Sequence, residues 1–358
     1  MKYFGVVYDV GLRVSGTEKS TVEPFDPALV EYDMRAIAND LHANAVRIEG
    51  EEIDRLLIAS RAAHQNGLAI FFSPWKMDAG FEETRAYVAK AAAAAEQLRS
   101  EGADVVFVTG CEYTIFSDGI YPGSSVFERS AWVYDQLDDF GGWPNTPQGL
   151  PGLLPEKAVE LNKVLAALAE TARASFGGPL TYSAAIFEEV DWTIFDIAGP
   201  NYYRETQSDE DYVAGLEYFR SFGRPVAVPE FGCCAYEGGA ARGARGWRVM
   251  QGINPDGSGN FADGVVPTRS EREQADYIER QLTVFADQDV HAAFVFVWAQ
   301  PGYPTGEGAK DLDMACYSIV KVFPDDDPRS QQIPNWEPKE SFRRAAEFFQ
   351  KHAAGTGH

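Results

Sequence analysis

The chain has 358 residues, 45% of them apolar, enough for one large core at a length that α/β barrels reach as a single domain. Against 31 Lys and Arg stand 54 Asp and Glu, a formal net charge of −23, and so acidic a surface repels phosphate backbones and anionic lipid. Nucleic-acid and membrane partners are therefore not expected.

The N-terminus, MKYFGVVYDVG, enters a strand-like run without a signal-peptide pattern, so a cytoplasmic setting is expected. YFGVVYDV (3–10) predicts the first strand and 27–41 the first helix; NAVRI (44–48) with 53–65, and LAIFFSP (68–74) with 81–100, repeat the pair. DVVFVTG (104–110) predicts the fourth strand, with a helix over 155–175. PLTYSAA (179–185) is followed by a short, weakly helical link, and FDIAGPNYY (195–203) by a helix over 209–222. PVAVPEF (225–231) precedes a helix over 270–288, and AAFVFVW (292–298) precedes the last helix, 340–353.

Eight apolar strands in βα alternation predict an α/β fold, a (β/α)8 TIM barrel forming one domain over 1–358. No GxGxxG follows the first strand, which removes the simplest dinucleotide-binding reading. Long, aromatic-rich connections follow strands four (112–154), seven (232–269) and eight (299–339), on the face where barrel enzymes place their chemistry.

Glu112 and Glu230 stand just past the apolar runs of strands four and seven. The two acids would face each other across the barrel mouth, and paired carboxylates suit glycoside chemistry. At these residues the chain resembles the retaining glycoside hydrolases often called clan A. The resemblance implies Glu112 as acid/base and Glu230 as nucleophile. Arg47, in HANAVRIEG, would orient and ionise the nucleophile. In GPNYYR, Tyr202 would hydrogen-bond it, with Tyr203 as the alternate. Trp298, in FVFVWAQPG, would be the aromatic platform under the sugar. One position departs from the pattern: Cys111 precedes the acid/base where the superfamily usually carries an asparagine that bonds the sugar 2-hydroxyl. A thiol is a poor hydrogen-bonding group, so the substrate is expected to lack that hydroxyl, to present it differently, or not to be an ordinary hexoside.

Asp9 and Glu49 end strands one and two. They either bond Arg47 and loop amides or bind substrate hydroxyls, and with Glu112 and Glu230 they could in principle form a carboxylate Mg²⁺ site. The reading preferred here has no metal and no cofactor. None of the five histidines is expected at the rim, which argues against a zinc centre or a Ser-His-Asp triad. Cys233 and Cys234 read as small packing residues, and NPDGSGN (254–260) as a turn. Arg242, Arg245 and Arg248 are either solvated loop charge or a site for an anionic substrate group. The expected activity is retaining hydrolysis of an oligosaccharide or small glycosylated metabolite. The alternatives are a transglycosylase or metabolite-tailoring enzyme on the same site, and a non-catalytic carbohydrate-binding or regulatory barrel.

Overall fold

The computed structural model describes residues 1–14, 19–137, 140 and 143–355; His358 lies outside them. Seven parallel strands form one curved sheet: β1 (Tyr3–Asp9), β2 (Ala45–Gly50), β3 (Ala69–Pro74), β4 (Val105–Cys111), β5 (Leu180–Ser183), β6 (Ala227–Phe231) and β9 (Ala292–Val295), in the spatial order β5-β4-β3-β2-β1-β9-β6. The sequence-predicted strand over 195–203 is not regular. It runs between β5 and β6 and pairs through two isolated bridges, Ala184 to Pro200 and Ala198 to Val226. The amide of Ala184 donates to Gly199 O (2.9 Å), that of Ala198 to Pro225 O (2.9 Å) and that of Tyr202 to Glu230 O (3.0 Å), so the stretch nearly closes the ring. Pro200 has no N–H to donate, which helps explain why the ladder stays fragmentary.

Helices cover the outside of the sheet. α1 (Pro27–Asn39) starts on Asp26, whose side chain accepts from Ala28 N, with proline at the first turn. α2 (Ile53–Gln65) and α3 (Phe81–Ser100) follow. The loop after β4 carries α4 (Tyr113–Phe116) and α5 (Val126–Leu137), two helices the sequence reading did not anticipate. α6 (Leu154–Arg173), α7 (Asp209–Arg220), α8 (Glu271–Asp287) and α9 (Glu340–Gly355) match the predicted segments within about two residues of each boundary. Two small antiparallel pairs decorate the remaining loops, β7 (Met250–Ile253) with β8 (Gly259–Phe261), and β10 (Val320–Val322) with β11 (Trp336–Pro338). NPDGSGN is the turn of the first pair.

The pleat sorts side chains to two sides. Inward from the sheet lie Tyr3, Val7, Ala45, Phe71, Val106, Val108, Ile197, Ala227 and Phe294, while Val6, Ile48, Phe107, Val228 and Val295 pack outward against the helices. Position 5 has to be glycine, because a Cβ there would stand 1.8 Å from Ala45 O. No helix is long and apolar enough to cross a membrane among the described residues.

Candidate active site at the barrel mouth

β1 and β2 keep strict alternation, so Val7 and Arg47 lie in register inside the ring, with Asp9 and Glu49 one layer above. β4 and β6 do not. Each carries a register shift at its C-terminal end, in β4 between Val108 and Cys111 and in β6 between Val228 and Phe231. A bulge reverses the inward parity. With Val108 inward, simple alternation would point Gly110 in and Cys111 out, yet the Cys111 thiol reaches Glu230 Oε1 (3.4 Å) and Ser183 Oγ (3.6 Å) inside the ring. Likewise Ala227 faces in, and the shift lets Glu230 face in as well, with Phe231 packed outward.

Glu230 is 7% exposed and held from two sides. Arg47 Nη1 donates to its Oε1 at 2.6 Å, and the Tyr203 hydroxyl donates to its Oε2 at 3.1 Å. Arg47 is fully buried and also meets Glu49 Oε2 (3.0 Å), Ser73 Oγ (3.3 Å) and Pro229 O (3.4 Å). Burial alone would lower its basicity, but Glu49 and Glu230 keep it protonated, above the ordinary range. Burial pushes the Tyr203 hydroxyl up, and the charge of Glu230 pushes it further, so it remains a donor. The Cys111 thiol is raised by the same two causes in the same order.

Glu112 adopts a left-handed backbone conformation, φ 40° and ψ 52°, which costs a non-glycine residue on the order of 1–3 kcal/mol. Its Oε1 accepts from Asn201 Nδ2 (2.8 Å), and Asn201 Oδ1 accepts from Ser183 Oγ (2.7 Å). Burial first, and the charge of Glu230 second, raise its carboxyl to about 8. Glu112 therefore holds its proton at neutral pH.

Two expected contacts fall differently. Tyr202 does not reach Glu230: its hydroxyl donates to Tyr212 O (2.7 Å) on the outside of the sheet, stacked on the Tyr212 ring. With Ile197 facing inward in the fold, counting by twos gives Asn201 and Tyr203 on the inner face. Trp298 is no platform either. It is 1% exposed and packs edge-on to Trp336 (5.0 Å) and Phe342 (5.8 Å) beneath the helices. The Phe296–Val297 peptide is cis, and past it Val297 joins the inner cluster while Trp298 joins the outer one. Half-buried Phe296, just past β9, packs edge-on to Tyr317 (5.8 Å), which in turn packs edge-on to Tyr203 (6.1 Å).

Asp9 accepts from Gly11 N (2.6 Å) and is raised to about 6, chiefly by burial. Glu49, on Arg47, is raised to about 8 by burial. The Arg47 guanidinium lies between Glu49 and Glu230 and supplies the positive charge that a divalent cation would bring; among the described residues no group of ligands could hold a metal ion. Of the loop arginines, Arg245 pairs with Glu205 and lies over Trp143 (5.0 Å), and Arg248 lies over Tyr134 (4.6 Å). Asn201 and Glu188, described below, were not among the residues singled out from the sequence. Neither ends a predicted strand, so the rim rule passes over both.

A nearly closed parallel barrel with two unlike carboxyl groups at its C-terminal mouth defines the class of architecture. Among solved structures the chain is similar to a GH113 β-1,4-mannanase, at TM-score 0.60 and 14% identity over 98% of this chain and 99% of that one. It is also similar to the GH113 β-mannanase of Alicyclobacillus acidocaldarius (TM-score 0.59, 14% identity, 98% of each chain). A third is the hyperthermophilic β-glucosidase of Pyrococcus furiosus (TM-score 0.55, 11% identity, 98% of this chain and 95% of that one). At these identities the likeness establishes the TIM-barrel fold. No protein-family model matches the sequence, and no curated protein matches it either.

Proposed function

We propose that the protein is a retaining glycoside hydrolase in which Glu112 is the acid/base and Glu230 the nucleophile. The observation that carries the proposal is the unlike setting of the two acids: Glu112 keeps its proton, while Glu230 accepts from Arg47 and Tyr203. In the first step Glu230 attacks the anomeric carbon, the bond to the leaving oxygen breaks, and Glu112 gives that oxygen its proton. The product is a glycosyl ester on Glu230. Glu112, now a carboxylate, takes a proton from water as the water oxygen attacks the anomeric carbon, which releases Glu230. Phe296 and Tyr317 offer the sugar an apolar wall. The neighbours are glycosidases by their names, which supports the reading at the level of class. The four cysteines are buried and free, which fits the reducing cytoplasm in which we place the reaction.

The test is a screen of activated aryl glycosides followed by NMR of the first-formed anomer. Retention in the wild type, with Glu230→Ala losing at least about 10³-fold in kcat, is expected; inversion or full activity in that variant would sink the mechanism. We further infer that the substrate carries an anionic group read by Arg248. Arg245 is already matched by Glu205, whereas Arg248 is exposed on the Tyr134 ring. Arg248→Ala should raise KM for a carboxylate-bearing glycoside about tenfold and leave its neutral counterpart unchanged.

A further inference from the structure

The unusual backbone of Glu112 needs something to hold it, and the residues on either side show what does. The Glu112 amide donates to Ser183 O (2.8 Å), and the next amide, Tyr113 N, donates to the Tyr182 hydroxyl (2.5 Å). The amide and hydroxyl of Thr114 both donate to Glu188 Oε1, at 3.0 and 2.7 Å. Glu188 is 3% exposed, sits in the short link after β5, and accepts in addition from the Tyr182 hydroxyl (3.0 Å) and Ala185 N (2.9 Å). One carboxyl group thus ties β5, its following link and the two residues after Glu112 into a single bracket.

We propose that Glu188 is a positioning residue that holds Glu112 in the left-handed conformation aimed at the barrel mouth. A left-handed glutamate persists only where its surroundings over-determine it, and the Glu188–Tyr182–Thr114 bracket does so from the side away from substrate. The inference rests on Glu112 being the acid/base. Glu188 also acts through charge: burial raises it to about 7, and it is among the groups that raise Glu112. The other groups that set Glu112 are Glu230 on β6, Asn201 between β5 and β6, and Arg47 on β2; those facing Glu188 are Tyr182 on β5, Thr114 on α4 and Tyr121 in the loop after β4.

The test compares Glu188→Gln and the milder Tyr182→Phe with the wild type, each first checked for a folded barrel by near-ultraviolet circular dichroism. Crystal structures should show Glu112 leaving the left-handed region and losing Asn201. A glycoside with a poor leaving group, which needs the proton, should slow by about 10²-fold, and an activated aryl glycoside by less than about threefold. The high-pH limb for the slow substrate should move as well. Folded variants with Glu112 unmoved and both substrates unaffected would overturn the proposal. If the wild type cleaved no glycoside, the glycosidase reading would fall, and the backbone of Glu112 in the two variants would still decide the role of Glu188.

Discussion

Replacing Tyr203 with phenylalanine removes one of the two strong donors to Glu230. A hydrogen bond to a charged group contributes about 1.5–3 kcal/mol, so kcat/KM should fall roughly 10- to 100-fold, whereas Tyr202→Phe should disturb stability rather than turnover. Steady-state kinetics beside thermal melts separate the two. Glu112 holds its proton up to about 8, and a general acid is lost as pH rises through its pKa. Turnover of a substrate with a poor leaving group should therefore decline above about pH 8, and Glu112→Gln should remove that limb. At this scale the two acids could be singled out in the sequence, because they come as a pair, each just past an apolar run that ends at the barrel mouth. Tyr203 against Tyr202 was not settled, and Trp298 was assigned to the mouth although it packs on the outer side, because each depends on which face of the backbone a single residue takes.

At the scale of elements, the stretch 195–203 stands where an eighth strand would, and it carries Asn201 and Tyr203 toward the site. Gly199 lets it approach β5: a Cβ there would stand 2.2 Å from Tyr182 O and 2.6 Å from Thr181 Oγ1. Gly199→Ala should push the stretch off β5, costing about 1–3 kcal/mol of stability and most of the activity through displaced Asn201 and Tyr203; a normal melt with full activity would refute this. The outer helices were readable from their period of 3.6 residues and the barrel strands from short apolar runs, whereas α4 and α5, in the long loop after β4, were not. The bulges of β4 and β6 were not, because a register shift leaves no mark on composition and shows only once the neighbouring strands are in place.

For the whole molecule, burial raises seven carboxyl groups above their ordinary range: Asp9 to about 6, Asp33 and Glu188 to about 7, Glu49 and Glu112 to about 8, and Glu205 and Asp311 as well. Asp33 sits beneath the barrel wall, accepting from Tyr8 (2.9 Å) and Trp336 (2.8 Å). Between pH 4 and 8 the folded chain binds protons that the unfolded chain has released, so this contribution to stability is full below about pH 4 and is lost progressively as pH rises to about 8. Calorimetry should find Tm lower at pH 8.5 than at pH 6 by about 5 °C or more, at roughly 2 °C per kcal/mol for a chain of this size; a rise over that interval would contradict the burial of these acids. The sequence by itself determined the alternation of strands and helices, the barrel it implies and the two acids at its mouth, since all three follow from local periodicity and from where apolar runs stop. Only the tertiary structure decided which tyrosine meets Glu230, that Cys111 turns inward and that Glu188 braces Glu112. Those outcomes depend on bulges, parity and contacts between residues up to 119 positions apart, which no local pattern encodes.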